Sequence, residues 1–302
     1  MIPKAVNRSS EPEQACVYRE KIIDEICYAL GVSRSGLIRR WLGPLFRYPA
    51  GRFGRMAACV DGEVGFSGLS GGARRILPDL SVKATGRGIE NIPVDGPLLV
   101  ASNHPGAFDS VAIMSCIPRK DLKVVLSDVP FTRAFSIARR YFIFVPPDAA
   151  GRRTALRASM DHLKRGGALL TFAHGDVEPD PELGPGADEA IQDWSHSLEI
   201  MLRRVPETWL QVVIASGVLL PKFVRSPIVR IRKTAPARQK LAEVLQISQQ
   251  MIFPRSIQTQ VHISFAKPIK AMDLVGEEMM PAVIRIARRL LVDHLESFKN
   301  PA

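Results

Sequence analysis

Seven short apolar runs, set between segments of helical periodicity, constrain this chain more than any other feature. They are LSVKATG (80–86), PLLVASN (97–103), LKVVLS (122–127), YFIFV (141–145), ALLTFA (168–173), WLQVVIAS (209–216) and TQVHISFA (259–266). Each is of strand length, and the clearest helical segments between and around them are Ala149 to Arg165, Ala187 to Arg204, Gln239 to Met251 and Met280 to Phe298. Strand and helix in alternation predict an α/β fold with a mixed, mostly parallel central sheet flanked by helices. Ligands on such sheets sit in the loops beyond the strand ends. A chain of 302 residues with 46% hydrophobic content can bury the core that this requires.

Before residue 78 the character differs. Glu13 to Leu30 and Ser33 to Phe46 read as helices, the second capped by Ser33 and stopped near Pro49. DGEVGFSGLSGGARR (61–75) then reads as a flexible glycine-rich loop. Two parts are expected: an N-terminal helical segment, 1–77, and an α/β domain, 78–302. In the helical segment Leu37, Ile38, Trp41, Leu42 and Leu45 follow helical spacing, with Phe46 and Tyr48 close by, among Arg34, Arg39, Arg40, Arg47 and Arg52. Such a stretch either lies in a headgroup layer or packs its apolar stripe on the main domain.

The most pointed motif is SNHPGAFDS (102–110). The strand PLLVASN ends at Asn103, and a helix starts just after Asp109, so His104 falls in a strand-to-helix loop. Pro105-Gly106 suits a turn that folds Asp109 back toward the imidazole. A carboxylate on one ring nitrogen fixes the tautomer that leaves the other free to take a proton, and without a nucleophile of its own the pair suits deprotonation of a substrate hydroxyl. The alternative is a helix cap at Asp109 and a histidine that only satisfies a polar contact.

The longer stretch VKATGRGIENIPVDGPLLVASNHPGAFDSVAI (82–113) resembles the first block of the glycerolipid acyltransferases, the glycerol-3-phosphate and lysophosphatidate acyltransferases, in which G-x-E-N-x-P precedes a strand ending in N-H-x4-D. The resemblance covers roughly residues 80 to 225. It implies that His104 is the general base for the acceptor hydroxyl, oriented by Asp109. It also implies acyl-CoA or acyl-carrier protein as co-substrate, with no metal or further cofactor. The later blocks depart from the family pattern. In the second, the arginine position lands near Pro146. In the third, FAHGDV keeps Phe172 and Gly175 but has His174 where glutamate is usual and Val177 where arginine is usual, and the fourth is not clearly present. The family's phosphate-holding arginines are therefore missing. Arg139, Arg140, Arg152 and Arg153 lie close to the second block and could replace them through bidentate contacts, or form a solvated face. His174, with Gly175, Asp176 and Glu178 in the following loop, is the candidate for a rebuilt acceptor site, and the alternative is that the Pro- and Asp-dense EPDPELGPG is a plain surface loop in which Asp180 and Glu182 have no role.

The remaining features narrow the partners. A formal net charge of +11 favours an anionic one, and the resemblance selects a lysolipid or glycerol phosphate at an anionic membrane surface over nucleic acid. No helix-turn-helix, zinc-finger spacing or RNP-like strand supports nucleic acid, and a non-catalytic lipid- or nucleic-acid-binding protein on a diverged scaffold is the rival reading. GLSGG satisfies G-x-S-x-G at Ser70, but no apolar strand precedes it as a nucleophile elbow requires. His174 and Asp176, with His162 or His196, have no recognised zinc spacing, so no metal is expected. Cys16, Cys27, Cys59 and Cys116 lie far apart, as in a reducing compartment, and no signal peptide or spanning segment is read. The expected location is the cytoplasmic face of a membrane, bound peripherally.

Overall fold

The computed structural model describes residues 11–32, 37–274 and 278–299. In chain order the described elements are α1 (Glu11–Ala29), α2 (Leu37–Ile76), β1 (Val82–Arg87), β2 (Leu98–Ser102), α3 (Ala107–Cys116), β3 (Lys123–Ser127), α4 (Pro130–Arg133) and β4 (Phe142–Val145). They continue with α5 (Ala149–Lys164), β5 (Ala168–Phe172), α6 (Ala187–Gln192), α7 (Ser197–Arg204), β6 (Trp209–Ser216), α8 (Pro221–Val224), α9 (Ala235–Ile252), β7 (Thr259–Phe265), β8 (Ile269–Lys270) and α10 (Met279–Lys299). All seven apolar runs form strands, and β8 adds a short eighth.

One mixed, mostly parallel sheet carries the fold, in the order β1-β7-β6-β2-β5-β3-β4, with β8 paired to the start of β6. β7 and β8 run antiparallel to β6, and the other pairings are parallel. β2 is central and all five of its residues are fully buried, as expected of a parallel strand covered on both faces. Its alternate residues feed two cores. Leu98 and Val100 meet α2 and α3 residues such as Ile76 and Ile113. Leu99 and Ala101 meet α7 and α10 residues such as Leu198 and Val283.

The N-terminal part departs from its sequence reading. Ser33, expected as a cap, and Arg34 lie outside the described residues. α2 does not stop at Pro49 but runs through Pro44 and Pro49, and the glycine-rich segment is helical rather than a loop. Its one break is at Gly68, at φ 69°, where a Cβ would meet the Lys120 carbonyl oxygen at 2.9 Å. Glycine here is a packing device: at Gly54 a Cβ would meet the Ala15 carbonyl at 2.6 Å, so its absence lets α1 and α2 approach closely. Asp61, buried within the same helix, accepts hydrogen bonds from the Tyr18 hydroxyl at 3.0 Å and from the backbone N–H groups of Ser136, Ile137 and Ala138. Val64, Leu69 and Ile76 of α2 share the core of the sheet face that α3 also covers. Ser70 is buried in this helix and donates to the Arg119 carbonyl at 3.2 Å, which removes it as an exposed nucleophile. Among the described residues no helix is long and apolar enough to cross a membrane.

Candidate active site

The exit of β2 is pinned before the motif begins. Buried Asn103 donates through Nδ2 to the Ala215 carbonyl at 2.9 Å and accepts the Ala215 N–H at 2.8 Å, so its amide imitates one more backbone pair with β6. His104 follows, and the turn through Pro105 and Gly106 starts α3. Asp109 stands in the first turn of α3, fully buried. Its Oδ2 lies 2.9 Å from His104 Nδ1 and accepts the Gly106 N–H at 3.0 Å. The carboxylate thus both caps the helix and holds the imidazole.

With Nδ1–H donated to Asp109, the neutral ring carries its lone pair on Nε2. The ring is 25% exposed and stacks on Phe172 of β5, centroids 4.2 Å apart and planes at 27°. Burial works against the imidazolium, yet the Asp109 carboxylate, helped by Glu243 and Glu178, outweighs it and raises His104 to about 9.

The loop after β5 reaches back to this turn. The His104 N–H donates to Glu178 Oε2 at 2.7 Å, and the Glu178 N–H donates to the His104 carbonyl at 2.8 Å. Trp194 Nε1 donates to the other carboxylate oxygen at 3.1 Å. Glu178 is 1% exposed, and desolvation raises it to about 7 despite these donors. The helix expected over Ala187 to Arg204 breaks at residues 193–196, between α6 and α7, and that break is what buries Trp194 beside Glu178. Two residues on, buried Asp180 accepts the N–H groups of Val218 at 2.8 Å and Gly217 at 3.1 Å, while Glu182 accepts from Ser216 Oγ at 2.6 Å and pairs with His262 Nδ1 at 2.7 Å. Alternate acids of one loop thus fasten the exits of β2 and β6 and the middle of β7.

A fourth element closes the site. Gln239 of α9 donates through Nε2 to the carbonyls of Pro105, at 2.6 Å, and Glu178, at 2.9 Å, bridging the dyad turn and the β5 loop. One turn further along α9, Glu243 approaches Gly106 so closely that a Cβ there would meet its Oε1 at 2.8 Å. Gln239, Glu243 and Trp194 were not singled out from the sequence. They lie far along the chain from His104, in segments with no motif, and only α9 and the α6–α7 break bring them in.

The other anticipated residues divide. His174 and Gly175 leave β5 beside the exit of β2, next to the dyad: Ala173 N–H donates to the Ser102 carbonyl at 2.9 Å. His174 is half-buried, its Nδ1 has no hydrogen-bond partner among the described residues, and Gly175 is exposed at φ 84°. Arg152 and Arg153 are exposed near the start of α5, at the same end of the sheet. They follow edge strand β4, three strands and so about 14 Å from β2. Arg152 bonds the Pro147 carbonyl. Arg139 and Arg140 are exposed in a 3-10 turn before β4, at the opposite end of the strands from His104. His162 Nε2 lies 2.9 Å from the Ala168 carbonyl and 3.0 Å from that of Asp121, and His196 pairs with Glu199 at the surface. Among the described residues no three His, Cys, Asp or Glu side chains converge as a metal site.

The chain is similar in structure to the 1-acyl-sn-glycerophosphate (LPA) acyltransferase, PlsC, from Thermotoga maritima. The match covers 94% of this chain and 97% of that one, at 15% identity and a TM-score of 0.49. No family model and no curated protein sequence matches the chain.

Proposed function

We propose that this protein is an O-acyltransferase that moves a fatty acyl group from acyl-CoA or acyl-carrier protein to a hydroxyl of a glycerol phosphate or lysolipid. The observation that carries the reading is the 2.9 Å contact between His104 Nδ1 and the fully buried Asp109 carboxylate, at the exit of the central strand. It leaves Nε2 as the proton acceptor at a half-open position. The acceptor O–H gives its proton to Nε2 as its oxygen bonds the thioester carbonyl carbon. The tetrahedral intermediate then expels the carrier thiolate, which takes the proton back from the imidazolium. Asp109 stabilises the charged ring between the two transfers. His174 and Gly175, which leave β5 beside the exit of β2, are the candidates for holding an acceptor group, and Arg152 and Arg153 are the candidates of the resemblance for a more distant phosphate.

A peripheral place at an anionic membrane belongs to the same reading. On α2, Trp41, Leu45 and Tyr48 are 83%, 70% and 62% exposed at helical spacing, with Arg40 and Arg47 exposed between and beside them. The side chains of Leu37, Ile38, Arg39 and Leu42 lie outside those described. The test is acyl transfer by purified protein with labelled long-chain acyl-CoA, and then acyl-carrier protein, on glycerol-3-phosphate, lysophosphatidate and unphosphorylated lysolipids. Transfer by the parent, lost in a folded His104→Ala variant, supports the reading. Absence of transfer from both donors to every acceptor overturns it.

A further inference from the structure

Between β6 and β7 the chain leaves the sheet for more than forty residues, and the first half of this excursion has a one-sided composition. Residues 221–240 hold Lys222, Arg225, Arg230, Arg232, Lys233, Arg238 and Lys240 and not one acid. Lys222, Arg225, Arg230, Lys233 and Arg238 are exposed. Their outward direction follows from what points inward: Phe223 and Val229 are buried with Leu241 and Ala242 of α9 and Leu30 at the end of α1. With that face anchored, Ile228 and Ile231 emerge on the outside, 52% and 61% exposed, between the arginines. Arg238 Nε donates to the Arg232 carbonyl at 2.8 Å, which closes the segment onto the start of α9, and Lys240 lies over the Tyr28 ring at 4.9 Å.

We infer that residues 221–240 are a docking surface for an anionic phospholipid bilayer, seated beside the dyad turn. Cations without acids match the negative surface of such a membrane, and two isoleucines projecting among them match its hydrocarbon boundary. A phosphodiester chain has the charge but nothing for the isoleucines to enter, and the exposed part of the strip carries no aromatic ring for base stacking. The strip leads directly to the site: Gln239, at its end, bonds the Pro105 carbonyl at 2.6 Å. A bilayer bound here would present its lipids next to His104. The purpose of the surface rests on the acyl-transfer reading; its occupant is argued from the strip alone.

The experiment is co-sedimentation of the full chain with phosphatidylcholine vesicles made with and without phosphatidylglycerol, across a salt series. Four variants are compared: Arg225→Glu with Arg230→Glu, Ile228→Ser with Ile231→Ser, Trp41→Ala, and His104→Ala. Circular dichroism and melting confirm that each is folded. The expected result is binding that needs phosphatidylglycerol, falls about tenfold or more with the charge-reversed pair, and falls with the isoleucine pair even at low salt. His104→Ala, which reports on acyl transfer, binds vesicles as the parent does, so docking and catalysis fail separately. Parent-like binding by both strip pairs, or loss confined to Trp41→Ala, overturns the assignment. So does binding of duplex DNA as tight as that of vesicles and indifferent to the isoleucines.

Discussion

His104 and Glu178 exchange two hydrogen bonds: each donates its backbone N–H to the other residue, His104 to the Glu178 carboxylate at 2.7 Å and Glu178 to the His104 carbonyl at 2.8 Å. The position of the imidazole is thereby fixed by a loop from the neighbouring strand as well as by its own turn. Removing the carboxylate in Glu178→Ala leaves the His104 and Trp194 N–H groups without their acceptor in a buried place. The expected loss of stability is about 1–3 kcal/mol by denaturant titration. Glu178→Gln, which keeps an acceptor oxygen, should lose less.

Asp109 serves the helix and the imidazole together, so its variants should separate the two. Asp109→Asn keeps the shape of the cap but not the charge. Acyl transfer should fall about 1,000-fold or more while the protein remains folded. NMR titration should find the His104 pKa lowered from about 9, since the Asp109 carboxylate is the largest influence that raises it. An unchanged histidine titration would contradict the geometry.

The pH dependence follows from the same pair. A base raised to about 9 is mostly imidazolium at neutral pH, so kcat/KM should climb with pH and level off near 9. Stability should move the other way. The His104 imidazolium stabilises the fold fully below its ordinary 6.5, and that contribution is lost as pH rises through 9. Glu178, raised from 4.5 to about 7, binds its proton more tightly folded than unfolded, so its contribution is lost as pH rises through 7. Denaturant midpoints of the parent should therefore fall between pH 6 and 9 more steeply than those of His104→Ala.

Gln239 touches the Pro105 and Glu178 carbonyls and not the ring, which makes it a positioning residue. Gln239→Ala should lower kcat by about tenfold with little change in KM, and destabilise by about 1–2 kcal/mol for the two lost hydrogen bonds. A purely structural role would show the stability loss without the kcat change.

Helix α2 offers a direct check on its glycines. Gly62 has open space around its missing Cβ, so Gly62→Ala should stabilise by about 0.5–1 kcal/mol in a helix and do little in a flexible loop. Gly54→Ala should destabilise by about 1–3 kcal/mol, because the new Cβ meets the Ala15 carbonyl. Thermal melts of the two variants should shift in opposite directions.

Amino-acid order alone determined the seven main strands, because a run such as PLLVASN is apolar from Leu98 to Ala101, four of the five positions that the doubly covered strand buries. It also brought His104 and Asp109 together across one tight turn, although α3 begins at Ala107, two residues before Asp109 rather than just after it. Tertiary structure decided what depends on distant neighbours. The glycines of α2 read as flexible, and only the close approach of Ala15 and Lys120 makes their missing side chains useful. The regular spacing of 187–204 reads as one helix, and only the burial of Trp194 against Glu178 explains its break. Gln239 and Glu243 have no local signature at all, because what brings them to the dyad is the packing of α9 over the ends of β2 and β6. A local pattern records what a residue does within its own turn or strand. The free energy of burial and of long-range hydrogen bonds, which completes this site, is set only when the chain closes on itself.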